Sequence, residues 1–79
     1  MPHDLAAMIR FHRRRSGLTQ QGLAELAGVG KNLVYDLENG KPTVRWENLV
    51  KVLDVLNVRV EFQSPLMGSF LKEQGDAPG

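Results

Sequence analysis

The chain has 79 residues, a net charge of +1 and no cysteine. A chain of this length makes one small domain, and without cysteine it forms neither disulfides nor thiolate zinc sites. Two histidines, His3 and His12, are too few for a metal site, and no apolar stretch reaches the length of a membrane span. We therefore expect a cytoplasmic protein that has no metal or cofactor and gains stability from a second copy.

The first predicted helix covers residues 5–15. Asp4 is a suitable N-cap, and the pattern ends near Ser16 and Gly17. One face of this helix has apolar spacing, which favours His12 as a buried or half-buried filler over His12 as a ligand. The residues of that face are Leu5, Met8, Ile9 and His12.

Two further short helices follow, joined by a glycine turn. Thr19 caps the second helix, which runs to Ala27, and Gly28 suits the left-handed position after it. The third helix runs from about residue 31 to residue 38, with Gly30 as its N-cap and Gly40 at the turn that closes it. The predicted core positions of the two helices are Leu23, Ala24, Ala27, Val34 and Leu37.

The fourth predicted helix begins between Thr43 and Trp46 and runs to about Leu56. Its apolar stripe predicts that Trp46 belongs to the core and is not a platform for stacked bases. The stripe consists of Trp46, Leu49, Val50, Leu53 and Leu56.

Residues 58–63 change period, because Val58, Val60 and Phe62 alternate with polar residues. This alternation predicts a half-buried strand. A lone strand leaves its backbone groups unpaired, so we expect it to pair with the same strand of a second copy in a homodimer. The alternative is an irregular segment packed on its own domain.

Residues 64–79 form a partly disordered tail with a short apolar island. We expect the island either to pack on the dimer or to bind a partner, and packing is the simpler reading. It consists of Leu66, Met67, Phe70 and Leu71.

The spacing of the second and third helices is typical of a helix-turn-helix, which lays its second helix in the major groove of DNA. Charge is uneven: residues 1–41 hold six Lys or Arg against four Asp or Glu, and residues 42–79 hold four against five. A basic cluster precedes the predicted motif, although cations also suit the C-terminal end of a helix for electrostatic reasons alone. The cluster is Arg10, His12, Arg13, Arg14 and Arg15.

Residues 9–60 resemble the Xre/Cro family of helix-turn-helix regulators. The resemblance depends on LTQQGLA at 18–24, AGVGKNLVYDLENGK at 27–41 and LVKVLDVL at 49–56. More narrowly, GKPTVRWENLVKVLDVLNVRVEF is similar to the HipB-like branch, whose members are typically antitoxins that repress their own operon and bind a HipA-like kinase toxin. The resemblance implies a mainly α, lambda-repressor-like domain of four to five helices over residues 1–57, with one C-terminal β-strand that pairs across a homodimer.

The resemblance also implies roles for single residues. Lys31, Asn32, Tyr35 and Asp36 match base-reading or groove-facing positions, and Arg13 with Glu38 matches an internal ion pair. Lysine donates to guanine and asparagine pairs with adenine, which supports the first assignment independently. The expected contacts with the DNA backbone come from Gln20, Arg14, Arg15, Leu33, Asn39 and Lys41.

Together these patterns predict a sequence-specific repressor that binds double-stranded DNA at an inverted-repeat operator. The resemblance to the HipB-like branch implies that it is also the antitoxin partner of a HipA-like kinase toxin. The alternative is a stand-alone Xre-type repressor with no toxin partner. An enzyme is disfavoured, because the sequence contains no Ser–His–acid set, phosphate loop or metal cluster.

Overall fold

The structure is a computed structural model that describes residues 4–41 and 43–76, and within these residues it contains five helices and no strand. His3 and residues 77–79 of the predicted tail lie outside the described residues. The prediction of a mainly α fold with four to five helices is confirmed. The helices are α1 (Leu5–Arg15), α2 (Gln20–Ala27), α3 (Lys31–Glu38), α4 (Trp46–Val55) and α5 (Met67–Asp76).

The first helices begin at polar residues that satisfy free backbone amides. The side chain of Asp4 accepts from the amide of Ala7 at 3.2 Å, and the hydroxyl of Thr19 accepts from the amide of Gly22 at 2.9 Å. Gly30 precedes α3 and has no side chain to act in the same way. The amide of Leu33 donates to the Gly30 carbonyl at 3.1 Å, so the amides of Lys31 and Asn32 are the ones left available to an external acceptor.

The turn between α2 and α3 is made at Gly28, whose φ of 71° is left-handed. This conformation lets the amide of Val29 donate to the carbonyl of Ala24 at 3.0 Å, so the chain leaves α2 at once and enters α3 in a new direction. The same amide-to-carbonyl contact ends the other helices of the domain: Leu18 to Arg13, Lys41 to Asp36 and Val58 to Leu53.

The core lies where α1 and α2 pack against α3 and where α4 packs against α2. The inward positions predicted for Leu23, Ala24, Val34 and Leu37 are confirmed, because all four are buried. The buried core as a whole contains Ile9, Leu23, Ala24, Val34, Leu37, Leu49, Val52, Leu53 and Leu56. This core holds α3 rigidly by one face and leaves its other face in solvent.

The prediction that Trp46 belongs to the core is wrong. Trp46 is 56% exposed and stacks on Phe62, with ring centroids 6.5 Å apart. Trp46 is the first residue of α4, and the helix buries Leu49, Val52 and Leu53 further along instead. The buried face of α4 is thus turned relative to the predicted stripe.

Beyond α4 the chain leaves the four-helix domain. Residues 58–64 have no regular secondary structure in the single chain, so the predicted strand is not observed and its pairing stays a prediction. The apolar side chains of Leu66, just before α5, and of Phe70 and Leu71 within it are exposed. The Cα radius of gyration of 15.4 Å exceeds the roughly 12 Å of a compact domain of this length, which fits a helix that extends from the main body.

Within the part of the chain that the structure describes, no helix combines the length and the apolar character needed to cross a bilayer.

Candidate nucleic-acid interface

The solvent face of α3 presents three polar side chains that are free of internal contacts. Lys31, Asn32 and Tyr35 are all exposed, Tyr35 to 55%, and none of the three side chains forms a hydrogen bond with another described residue. The opposite face of the same helix is buried through Val34 and Leu37. The side chains predicted to read bases are therefore brought together on a surface with unused hydrogen-bonding capacity.

Asp36 and Lys41 contact each other at the end of that face. The Lys41 ammonium lies 3.4 Å from the Asp36 carboxylate, and both side chains are substantially exposed, at 56% and 40%. A carboxylate on a surface that faces DNA would repel the phosphates. Here the Lys41 ammonium offsets the charge of Asp36. The pairing also means that Asp36 and Lys41, predicted to contact a base and a phosphate, are coupled in the free chain.

Leu33 is half-buried and packs against the core. It also forms one wall of an open groove of about 720 Å³ between α3 and the start of α4, whose other side includes Thr43, Arg45 and Asn48. Much of the Leu33 side chain packs against the core. In its predicted role at the DNA backbone, Leu33 would therefore offer only an exposed apolar edge.

Glu38 is a buried carboxylate at the last turn of α3, only 2% exposed, and it holds three elements together. Arg13 of α1 donates to it from Nε at 2.5 Å and from Nη2 at 3.0 Å, which gives the bidentate geometry of a strong pair. Gln20 of α2 donates to the same carboxylate at 3.2 Å. Arg10 donates to the Glu38 backbone carbonyl at 2.6 Å. The ion pair that the resemblance implied for Arg13 and Glu38 is therefore present.

The electrostatics of this cluster favour the charged forms. Burial acts to raise the pKa of Glu38, but hydrogen bonds from Arg13 and Gln20 and the charges of Arg13 and Arg10 outweigh it, so the net pKa lies below the ordinary range. The pKa of Arg13 is raised, chiefly by its hydrogen bond to Glu38. The cluster fixes the angle of α3 against α1 and α2, and hence the orientation of the exposed face of α3.

This cluster changes what Gln20 can contribute. Its side-chain amide already donates to Glu38, so a phosphate contact would use its second amide hydrogen or its backbone amide at the start of α2. Arg10 was not predicted as part of the cluster. The available signal was its spacing of three residues from Arg13, which places both guanidinium groups on one face of α1.

The remaining predicted backbone contacts lie at helix ends. Arg14 and Arg15 are exposed at the C-terminal end of α1, and the Arg15 guanidinium lies 4.7 Å above the Phe11 ring. The Asn39 side chain donates to the carbonyl of Tyr35 at 2.7 Å, which caps the end of α3. Of the two arginines, Arg14 is the one whose guanidinium forms no ion pair or ring contact with another described residue.

Comparison with known proteins identifies the architecture. Residues 4–61 match the family model described as "Helix-turn-helix domain". The chain is 38% identical over 64 residues to the uncharacterized HTH-type transcriptional regulator y4mF of Sinorhizobium fredii (strain NBRC 101917 / NGR234), covering 81% of this chain and 84% of that protein.

Two solved structures have a similar fold: one is named MDT Protein and the other is a HipA-HipB-O2-O3 complex. Each superimposes with a TM-score of 0.71 at 23% identity, over 82% of this chain and 92% of the matched chain.

Proposed function

Because the chain belongs to the helix-turn-helix family of transcriptional regulators, which bind DNA and are not enzymes, we propose that it represses transcription by reading DNA sequence through α3. The observation on which the proposal rests is the solvent face of α3. Lys31, Asn32 and Tyr35 lie there with unused donors and acceptors, on a helix whose opposite face is locked into the core. A rigid helix of this kind fits the major groove.

The chemistry of the face suits base edges. The Lys31 ammonium donates to the O6 and N7 of guanine, and the Asn32 amide pairs with the N6 and N7 of adenine. Tyr35 offers a hydroxyl and an aromatic edge to the groove. Asp36, with its charge offset by Lys41 at 3.4 Å, accepts from a cytosine amine when that ion pair opens.

Contacts with the phosphates set the register of the helix in the groove. The exposed guanidinium groups of Arg14 and Arg15 supply charge before α2, and Lys41 and Asn39 supply donors after α3. Gln20 adds its backbone amide at the N-terminus of α2, where the helix dipole favours an anion. These contacts give affinity for any duplex, and the α3 face adds the sequence preference.

The proposed active form is a homodimer on an inverted repeat. An apolar surface on the described chain supports it: Trp46, Val60 and Phe62 are 56%, 43% and 71% exposed and lie close to half-buried Val58. Pairing of residues 58–63 between two copies would cover this surface and satisfy the backbone groups that the single chain leaves open. Two α3 helices would then meet half-sites spaced by about one turn of DNA or a multiple of it.

A protein partner is the second part of the proposal. The exposed apolar side chains of Leu66, which immediately precedes α5, and of Phe70 and Leu71 within α5 form a surface outside the DNA-reading domain. Together with the HipB-like pattern of residues 40–62 and the fold shared with a chain of the HipA-HipB-O2-O3 complex, this surface supports a HipA-like kinase toxin as the partner. The chain would then be the antitoxin of an operon that it represses itself.

Selection of bound duplexes from a randomised pool tests the DNA-binding part. The expected product is an inverted repeat whose half-sites are spaced near 10 base pairs or a multiple of that length. Enrichment of no sequence would overturn the proposal that the chain is a sequence-specific repressor.

Capture of the tagged full chain from its own cells tests the partner. Recovery of a kinase-like protein that is lost when Phe70 and Leu71 are changed to serine would support the antitoxin role. Recovery of DNA without any kinase would favour the stand-alone repressor instead.

A further inference from the structure

Residues 58–63 have charges that complement those of an inverted second copy. In an extended chain the apolar residues Val58, Val60 and Phe62 lie on one face, and Arg59 and Glu61 lie on the other. Both charged side chains are exposed, and neither forms an ion pair with a described residue. Building on the dimer of the proposed function, we propose that two copies pair antiparallel with the two-fold axis at Val60, so that each Arg59 faces Glu61 of the partner subunit.

Other registers bring like charges together, mix the two faces, or, with the axis at Val58 or Phe62, pair no opposite charges. An axis at Arg59 places the two Arg59 side chains opposite each other, and an axis at Glu61 does the same with two carboxylates. An axis between two residues puts an apolar residue opposite a charged one, so it mixes the two faces of the ribbon. The axis at Val60 is the register that pairs opposite charges and keeps Val58 opposite Phe62.

The backbone agrees with this arrangement. Asn57 is left-handed, with φ of 59°, and ends the helical part of the chain next to Val58. The amide of Val58 donates inward to the carbonyl of Leu53 at 2.9 Å. Because amides alternate in direction along an extended chain, an extended segment would turn those of Arg59 and Glu61 away from the domain, toward a partner. The pairs between Arg59 and Glu61 are then the hydrogen-bonded ones, and Val60 sits at a non-hydrogen-bonded position, where side chains approach most closely.

The apolar face of the ribbon has a matching surface below it. A shallow groove of about 560 Å³ lies between α4 and the segment, with Trp46, Val50, Leu53 and Asp54 on the helix side and residues 58–61, including Arg59 and Glu61, on the other. Phe62 stacks on Trp46 at the edge of this groove. In the proposed register Val58 of the partner subunit lies opposite Phe62, so the second copy covers both exposed rings.

Single cysteine variants of the full chain test the register directly, because the natural sequence contains no cysteine. Directly opposite residues at a non-hydrogen-bonded position have Cα atoms about 4.5 Å apart, within the range of a disulfide. Val60→Cys should therefore cross-link with itself under mild oxidation. Arg59→Cys and Glu61→Cys should each fail to cross-link alone, since their own copies lie about 7–8 Å away on the diagonal, but should cross-link when mixed.

Two results would overturn the inference. One is self-cross-linking of Arg59→Cys or Glu61→Cys as efficient as that of Val60→Cys. The other is failure of both Val60→Cys and the mixed pair to cross-link. The mixed pair retains Val60, so it guards against loss of the dimer through the Val60 substitution itself.

Charge reversal independently tests the same contacts between residues 59 and 61. Arg59→Glu and Glu61→Arg should each weaken the dimer by about tenfold, because like charges then face each other twice. Their equimolar mixture should recover a wild-type dissociation constant, measured by sedimentation or by the emission of Trp46, the single tryptophan of the chain. Absence of recovery in the mixture would contradict the opposition of residues 59 and 61.

The register and the proposed function can fail separately. Wild-type protein that binds DNA as a dimer, together with cysteine variants that lack the expected cross-links, would refute the register and leave the function standing. Cysteine variants that cross-link as expected, together with wild-type protein that binds no DNA sequence, would support the register and refute the function.

Discussion

Replacement of Glu38 by glutamine should cost the domain a large part of its stability. The change removes the buried negative charge that Arg13 contacts at 2.5 and 3.0 Å and leaves a guanidinium whose side chain is only 12% exposed. Breaking a buried ion pair at one partner typically costs about 3–5 kcal/mol. Arg13 keeps its bond to the Leu18 carbonyl at 2.9 Å, and the new amide oxygen still accepts, so we expect the lower end, about 3 kcal/mol.

A loss of this size is readily measured in so small a domain. Stabilities of about 0.05–0.15 kcal/mol per residue imply roughly 4–12 kcal/mol for the whole chain. A loss of about 3 kcal/mol should lower Tm by roughly 12–24 °C. Urea denaturation followed by circular dichroism gives the free energy of unfolding for Glu38→Gln and for the matched control Glu25→Gln, whose carboxylate is exposed. Equal losses below about 1 kcal/mol in both variants would refute the structural role of the Glu38 cluster.

The same pair of variants should separate with pH. The pKa of Glu38 in the folded chain lies below its ordinary value of about 4.3, so its contribution is fully present above that value and is lost as pH falls through the lower, folded pKa. The difference in unfolding free energy between wild type and Glu38→Gln should therefore shrink as the pH is lowered toward about 3. A constant difference across that range would show that the Glu38 charge contributes nothing.

Two further substitutions test other parts of the account. Arg14→Ala should weaken binding to every duplex and reduce the slope of log affinity against log salt by about 1, whereas Lys51→Ala on α4 should leave the slope unchanged. An unaltered slope in both variants would exclude a phosphate contact at Arg14. Gly28→Ala should lower the free energy of unfolding by about 1 kcal/mol, because φ is 71° there, while Gly68→Ala in the exposed α5 should not. Equal stability of the two alanine variants would remove the argument for strain at the turn.

Local signals were enough to predict the helices of the DNA-reading domain. Asp4, Thr19 and Gly28 act on backbone groups only a few residues away, so their effect can be predicted from the neighbouring sequence. The buried residues of α2 and α3 were predicted for a related reason, since a helix of eight residues has one face to bury. Once the buried face of α3 is predicted, the residues left over form its exposed face.

Contacts between residues far apart in the sequence were harder to predict. Arg10 meets the carbonyl of a residue 28 positions away, which no local pattern encodes. Trp46 has the spacing of a core residue, yet at the first position of α4 it is 56% exposed. The helix α5 was obscured by Pro65, Gly68 and Gly75, which have low helix propensity, and the ribbon of residues 58–63 depends on a second chain.

The most direct test of the central claim compares wild type and Asn32→Ala on two duplexes of equal length at one salt concentration: the selected inverted repeat and a scrambled sequence. If α3 reads bases, the variant should lose about 1–3 kcal/mol of binding free energy on the selected site and little on the scrambled one. Selection repeated with Asn32→Ala should then relax one base position in each half-site. An equal loss on both duplexes would show that Asn32 contacts no base and would contradict the assignment of α3 as the reading helix.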